Sequence, residues 1–160
     1  MTPEQYIQKL IELSKKKLDG INEILNLTKQ QSIIISEDSA NELDGLIELK
    51  QFQMDMIDEL DKSFEVYYAR LKSILGVQSI EEIKMKQLQG AAELKQIITT
   101  IFDKTKQIQS LEIENKNNVQ AIVNKLASDI KRIRQSKMAN NGYNVAAKQP
   151  RPSYFFDKKK

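Results

Sequence analysis

Two pairs of acidic residues in this chain have a spacing that could support acid–base catalysis. Asp58 and Asp61 lie one helical turn apart, and Glu81 and Glu82 are adjacent. Such catalysis needs one carboxyl group with a raised pKa beside a second, ionised one. Both pairs lie instead in stretches rich in other charged residues, which is typical of a solvated helix face. We therefore expect neither pair to be catalytic.

The side chains that most catalytic and metal sites use are missing from the sequence. Its 160 residues include no His and no Cys. This removes serine and cysteine triads, thiolate zinc sites and the carboxylate–histidine metal sites of helical bundles. The five glycines are too scattered for a phosphate-binding loop or a dinucleotide fingerprint. We expect no enzyme, no cofactor and no metal, and a function in binding another protein.

A basic stretch near the carboxyl end suggests a second possible chemistry. Residues 125–137 contain five cations, with Asp129 as the one acid among them. They could contact phosphates while the aromatic residues of the tail stack on bases. The net charge of the chain is only +3, however, and cations also complement the dipole at the carboxyl end of a helix. Nucleic-acid binding is therefore the weaker interpretation, and we expect no nucleic acid among the partners.

The elements that position these residues are predicted to be helices. Thr2 suits the N-cap of a first helix, Pro3 its first position and Gln5 the last place of a capping box. Apolar residues then recur every three or four positions. They are Ile7, Leu10, Ile11, Leu13, Leu18, Ile21, Ile24, Leu25 and Leu27. This stripe fades before residues 36–39, which offer several caps for a second helix.

Two further stripes predict two more long helices. One covers residues 43–75 and stops at Gly76, a natural helix end, and the other covers residues 94–133. The first two helices should form an antiparallel hairpin, because a short connection joins them and neither is stable without burying its stripe. The third long helix should pack against this hairpin. Ser79 begins a capping box for a short helix that ends near Gly90 and leaves an irregular stretch at 87–90.

Some residues within the stripes allow two interpretations. Four residues of the second helix either fill the core, which we favour, or form an adaptable docking surface; they are Met54, Met56, Tyr67 and Tyr68. Gly20 and Gly45 mark either a close approach of helices or bends. Asn115 and Asn118 either find polar partners in the bundle or open it at that point.

The helical pattern stops before the end of the chain. After Ala139 come an Asn-Asn-Gly sequence and, further on, two prolines. They predict that the helix ends near Ala139. The predicted fold is therefore all-α, with an elongated bundle at 1–138 and a flexible tail at 139–160. Aromatic residues are unusual in segments that act only as solvated linkers. We therefore expect the tail, with its aromatic cluster at 154–156, to become ordered on a partner.

The composition favours a location in the cytoplasm, and the charged residues are unevenly distributed along the chain. The absence of Cys fits a reducing compartment. No run of about 18 apolar residues is present, and the first residues lack the pattern of a signal peptide, so we expect no stable membrane insertion. Residues 37–65 contain ten acids and two lysines, whereas residues 125–137 are basic. An acidic and a basic helix of one bundle would attract each other.

Three segments of the sequence carry a resemblance to a known family. They are LDGLIELKQ at 43–51, LEIENKNN at 111–118, and the tail from GYN at 142–144 to SYFFDKK at 153–159. With these segments the chain resembles the FlgN-like family of flagellar type III export chaperones, and the resemblance covers nearly the whole length. The resemblance implies a cytosolic chaperone that binds flagellar hook–filament junction proteins. It also implies that the chaperone prevents their premature assembly and delivers them to the flagellar export gate.

The resemblance further implies that the client binds toward the carboxyl end of the chain. A basic amphipathic helix followed by an aromatic tail agrees with this, because an unfolded or partly helical client could pack on it. The expected contacts are Ile130, Ile133, Met138, Tyr143, Tyr154, Phe155 and Phe156. The alternative is a non-catalytic coiled-coil scaffold or adaptor. A homo-oligomer formed by exchange of the third helix is also compatible with such long stripes.

Overall fold

The computed structural model describes residues 1–36 and 40–143, and every element within them is a helix. The elements are α1 (Pro3–Ser36), a 3-10 turn (Ala40–Glu42), α2 (Leu43–Leu75), α3 (Ile80–Met85) and α4 (Ala91–Tyr143). The prediction of an all-α protein built from long helices is confirmed. By internal contacts the chain divides into two compact units, Met1–Lys116 and Asn117–Lys160.

Local sequence determines where α1 begins and where α2 ends. At the start of α1, the Thr2 hydroxyl accepts a hydrogen bond from the Gln5 backbone at 3.2 Å, and the Gln5 side chain accepts one from the Thr2 backbone at 2.8 Å. This is the predicted capping box. At the end of α2, Gly76 adopts a left-handed conformation with a φ of +66°. The backbone N–H of Val77 then reaches the carbonyl of Lys72 at 3.1 Å, which closes the last turn.

The short helix α3 begins as predicted and ends at Met85, and the predicted irregular stretch at 87–90 is confirmed. The Ser79 hydroxyl accepts a hydrogen bond from the Glu82 backbone at 3.2 Å and caps the helix. The chain then turns before Gly90, whose φ is +85°. A Cβ at Gly90 would lie 3.0 Å from Ile7 Cγ2 and 3.1 Å from Ile11 Cδ1. Glycine is therefore required here both by the backbone conformation and by the approach of α1.

The core of the first unit is formed by residues of all four helices. Its fully buried aliphatic side chains are Ile7, Leu10, Ile11, Leu71, Ile83 and Leu94. A second cluster, made of Ile21, Ile24 and Ile57, continues the core along the hairpin, and Ile101 and Ile108 of α4 pack against it. Each fully buried side chain of this kind contributes about 1.5–3 kcal/mol. The predicted packing of the third long helix on the hairpin is confirmed for this part of α4.

Helices α1 and α2 are antiparallel neighbours, as predicted. Lys17 of α1 pairs with Asp61 of α2 at 2.7 Å. Gln31, which comes later in α1, accepts a hydrogen bond at 2.8 Å from Lys50, which comes earlier in α2. A Cβ at Gly20 would lie 3.1 Å from Ile57 Cγ1. Gly20 therefore marks a close approach of the two helices.

Several expectations about the hairpin differ from the structure. No atom lies within 4 Å of a Cβ placed at Gly45, so the close approach considered there is wrong. Met54 and Met56 are exposed, so the favoured interpretation that they fill the core is wrong, whereas it is confirmed for Tyr67 and Tyr68, which pack against the core. Helix α2 has Glu42 as its N-cap without a side-chain hydrogen bond. Of the four predicted cap positions, only Ser36 lies within the described residues, at the end of α1.

In the second unit, the structure describes the remainder of α4, residues 117–143. The helix passes Ala139 and ends at Tyr143, so the predicted helix end near Ala139 is wrong. Asn and Gly lower helix stability by roughly 0.7–1 kcal/mol each relative to Ala. A penalty of this size weakens a helix end but does not break it as a proline would.

Candidate binding surface

An uncovered apolar seam runs along the second half of α4. It consists of Val119, Val123, Leu126, Ile130 and Ile133, which follow one another at intervals of four, three, four and three positions. This spacing places all five on one face of the helix. Leu126 is 46% and Ile133 57% exposed. Ile130 is half-buried. We expected this part of the stripe to be packed like the first part, and its exposure shows that it is not.

A helix with such a seam gains most of its stability when another helix covers it. Isolated helices are marginal in water, and a seam with heptad spacing is the surface through which coiled coils associate. The sequence identified the stripe but assigned Val119, Val123 and Leu126 to the core. The spacing alone could not distinguish a seam that is buried within the chain from one that is free for a partner.

The predicted contact residues fall into three groups. Ile130 and Ile133 belong to the seam, and Met138 is exposed about one turn further along α4. Tyr143 is the last residue of α4. The tail aromatics at 154–156 lie outside the described residues, so their contact with a client stays a prediction.

Basic residues are concentrated in this part of α4. They are Lys125, Lys131, Arg132, Arg134 and Lys137. At roughly 100° per residue, Lys125, Lys131 and Arg132 lie on the face of the helix opposite the seam, whereas Arg134 and Asp129 flank it. The seam itself is therefore an apolar surface without a predominant charge at its edges, which suits the apolar face of an amphipathic helix.

A buried lysine joins three helices of the first unit. Lys50 donates a hydrogen bond to Gln31 Oε1 at 2.8 Å and pairs with Glu112 of α4. Its side chain is only 10% exposed. A cation in this position is tolerated because both partners compensate for the lost water. The sequence analysis missed this role, although Lys50 lies one turn after the buried Leu46 and thus on the apolar face of α2.

A second set of polar contacts lies next to this lysine, around Asn115. The Ser32 hydroxyl donates to Asn115 Oδ1 at 2.7 Å, and Asn115 Nδ2 donates to the Thr28 carbonyl at 3.3 Å. Thr28 in turn donates its hydroxyl proton to the Ile24 carbonyl at 2.7 Å. Of the two interpretations of Asn115, the one with polar partners in the bundle is therefore correct, whereas Asn118 is exposed and not on a buried stripe. These directional contacts favour one alignment of α4 on α1.

Three of the four carboxylates considered for catalysis have structural partners, and the fourth, Asp58, is exposed. Asp61 pairs with Lys17, and Glu82 accepts a hydrogen bond from the backbone of Gln78. The hydrogen bond from Lys95 lowers the pKa of Glu81 below its usual value, whereas a general acid needs a raised one. Within residues 1–36 and 40–143, no cluster of acidic side chains is arranged to hold a metal ion. No described helix is long and apolar enough to cross a membrane.

A comparison with families of known proteins identifies the family of this chain. The family model described as FlgN protein matches residues 1–151, which include all of α1 to α4. Comparisons with curated proteins and with solved structures gave no significant match. The chain belongs to the FlgN family, a family of flagellar export chaperones.

Proposed function

We propose that this protein is a cytoplasmic, non-catalytic chaperone for flagellar hook–filament junction proteins. It binds them before export, keeps them from assembling prematurely and delivers them to the flagellar export gate. Family membership supports the export-chaperone role. The observation that carries the choice of surface is the exposed apolar seam on α4 from Val119 to Ile133.

The size of the seam fits a chaperone that must release its client. Covering the exposed part of five aliphatic side chains contributes on the order of 4–7 kcal/mol. Association costs about 4–15 kcal/mol in lost freedom of motion. The seam therefore needs a second set of contacts, and the tail aromatics Tyr154, Phe155 and Phe156 provide the apolar area for it.

The mechanism follows from the chemistry of the client surface. Apolar helices that pair with one another in an assembled filament are exposed in an unassembled subunit, where they associate with other copies. A helix with an uncovered seam can take the place of the missing neighbour. Masking of this kind prevents assembly without any covalent step.

A double substitution in the seam tests the proposed client surface. Leu126→Ser with Ile133→Ser should weaken binding to a purified hook–filament junction protein at least tenfold by isothermal titration calorimetry. Ile113→Ser is the matched control, because Ile113 is an equally exposed residue of α4 in the first unit and lies off the seam. Circular dichroism should show that the variants remain helical. Unchanged client affinity in the double variant would exclude the seam as the client site.

Removal of residues 144–160 tests the second set of contacts. The truncated chain keeps α1 to α4, so its helicity should be preserved while client affinity falls. If truncation and seam substitutions alter only self-assembly and no client binds the full chain, the scaffold or adaptor interpretation replaces the chaperone. Binding to single-stranded oligonucleotides that weakens steeply with salt would support the nucleic-acid interpretation instead.

A further inference from the structure

A cavity interrupts the core of the first unit, between its two apolar clusters. It has a volume of about 140 Å³ and is lined by residues of α1, α2 and α4. On its walls, Phe64 and Ile98 pack against the main cluster, whereas Ile101 packs against the second cluster. Protein interiors are packed as densely as crystals of small molecules, and an empty space of this size lowers stability. An occupant of the cavity would therefore be favoured.

Most of the cavity wall is apolar. The lining contains four aliphatic side chains and one aromatic ring, which are Leu13, Leu60, Phe64, Ile98 and Ile101. In another protein, an engineered cavity of about 150 Å³ with a lining of Leu, Ile and Phe stays dry and binds benzene. The present cavity thus has the size and the walls for one six-membered aromatic ring. The ring of Phe64 offers such a ligand an offset or edge-to-face contact.

One polar group of the lining lacks a partner. Ser14 is only 3% exposed and lines the cavity. The hydroxyls of Thr28 and Thr105 donate to the carbonyl four residues earlier, but within residues 1–36 and 40–143 the Ser14 hydroxyl forms no hydrogen bond. No fully enclosed polar side-chain atom in these residues is without a partner, so the Ser14 oxygen faces open space, which the cavity provides. A ligand with a hydroxyl group would supply the missing hydrogen bond.

The other two polar residues of the lining form an ion pair. Lys17 Nζ lies 2.7 Å from Asp61 Oδ1, and both side chains are partly exposed, so the pair connects the cavity to solvent. Because the two charges neutralise each other, the cavity offers no net charge to a ligand. A carboxylate ligand would lie close to Asp61, and an ammonium ligand would lie close to Lys17. Each would also lose its water, so a neutral ligand is favoured.

We propose that this cavity binds a neutral phenol, whose ring fills the apolar part and whose hydroxyl forms a hydrogen bond with Ser14. This chemistry occurs in small phenolic molecules and in the tyrosine side chain of a peptide. The site is separate from the client surface of the proposed function, because its lining lies in the first unit and the seam lies in the second. A bound ring contacts α1, α2 and α4 together, and it therefore stabilises the folded first unit.

A titration of the full chain with phenol, followed by NMR of the methyl groups, tests the site. Phenol should bind with a Kd on the order of 1 mM and should shift the methyl signals of Leu13, Ile98 and Ile101 most. Benzoate and benzylammonium should bind about tenfold more weakly or not at all, because each carries a charge. The absence of phenol binding far above this concentration, or shifts confined to residues away from the cavity, would overturn the proposal.

Two substitutions in the lining sharpen this test. Leu60→Phe fills the cavity and should abolish phenol binding, whereas Ile113→Phe adds the same ring at an exposed position of α4 outside the cavity and should not. Ser14→Ala keeps the cavity but removes the hydroxyl, so phenol should bind about three- to tenfold more weakly while toluene binds as before. Thermal denaturation shows whether each variant is folded. If Leu60→Phe does not fold, Ser14→Ala decides, and an unchanged preference for phenol over toluene would refute the assignment.

Two further measurements identify the source of the phenol and separate the site from the proposed function. Binding of N-acetyltyrosinamide with the same methyl shifts would identify a tyrosine side chain as the ligand, whereas binding of phenol alone would identify a small molecule. The variant with Leu126→Ser and Ile133→Ser should bind phenol as the wild type does. If that variant loses its client and the wild type binds no phenol, only this inference fails. If the wild type binds phenol but no client, only the proposed function fails.

Discussion

The two halves of α4 have the same apolar periodicity and opposite exposure. Leu94, in the first half, has none of its surface exposed and belongs to the main core, whereas Leu126, in the second half, is 46% exposed. The side chains are identical and both lie on an apolar stripe of one helix. Periodicity therefore predicts which face of a helix avoids water, but the covering surface can belong to the same chain or to another molecule.

The same substitution in both halves gives the largest expected contrast in stability. Leu94→Ala removes a fully buried side chain and should lower the free energy of unfolding by about 2–5 kcal/mol. Leu126→Ala removes one that is already half in water, and alanine favours the helix, so the change should stay within about 0.5 kcal/mol. Urea denaturation followed by circular dichroism measures both. Equal losses would mean that Leu126 is covered in solution, for instance by a second copy.

The helix ends, the hairpin and the buried stripe of α1 could be predicted from the sequence. Capping at Thr2 and Ser79, the helix end at Gly76 and the hairpin all follow from short-range rules, because each depends on neighbouring residues. The stripe of α1 likewise predicted buried residues such as Ile7 and Leu10. Local signals and burial agree wherever the covering element is close in the sequence.

The exposure of the second half of α4 could not be predicted in the same way. A stripe such as the α4 seam contains no signal that states whether its partner lies in the chain. The exposure of Met54 was missed for the same reason, since an apolar residue at helical spacing looks like core. Lys50 was missed in the opposite direction, because its partners Gln31 and Glu112 lie far away in the sequence. Each failure concerns a contact between distant segments.

Substitution of two glycines, one at a packed position and one at an open position, should change stability in opposite directions. Gly90→Ala places a Cβ at a φ of +85° and 3.0 Å from Ile7 Cγ2, so we expect a loss of about 1–3 kcal/mol in the free energy of unfolding. Gly45→Ala meets no neighbour within 4 Å inside α2 and should raise stability by about 0.5–1 kcal/mol. Thermal denaturation should shift in opposite directions. A stabilised Gly90→Ala variant would contradict the approach of α1 to this turn.

Substitution of two asparagines of α4 compares a buried, hydrogen-bonded side chain with an exposed one. Asn115→Ala removes the acceptor of the Ser32 hydroxyl and a donor to the Thr28 carbonyl, which should cost about 1–2 kcal/mol of stability. Asn118→Ala changes an exposed residue of the same helix and should have an effect within about 0.5 kcal/mol. Chemical denaturation of both variants decides whether the Asn115 contacts form in solution. Equal stability of the two would show that they do not.

The smallest expected effect is a change in pKa at the surface of the packed half. The hydrogen bond from Lys95 of α4 lowers the pKa of Glu81 in α3. A lowered pKa in the folded state means that the ionised carboxylate stabilises the fold above about pH 4.5 and that this contribution is lost as the pH falls. Lys95→Met should therefore raise the pKa of Glu81 in an NMR titration and flatten the dependence of stability on pH in this acidic range.

The matched substitution in the open half is Lys125→Met, which removes an exposed cation of the second half of α4. It should leave the pKa of Glu81 unchanged, because the lowering comes first from a direct hydrogen bond with Lys95 and not from the total charge of the chain. If both substitutions raise the pKa of Glu81 equally, long-range charge is responsible. The ion pair that joins α3 to α4 at the packed end would then contribute nothing specific to the difference between the two halves of α4.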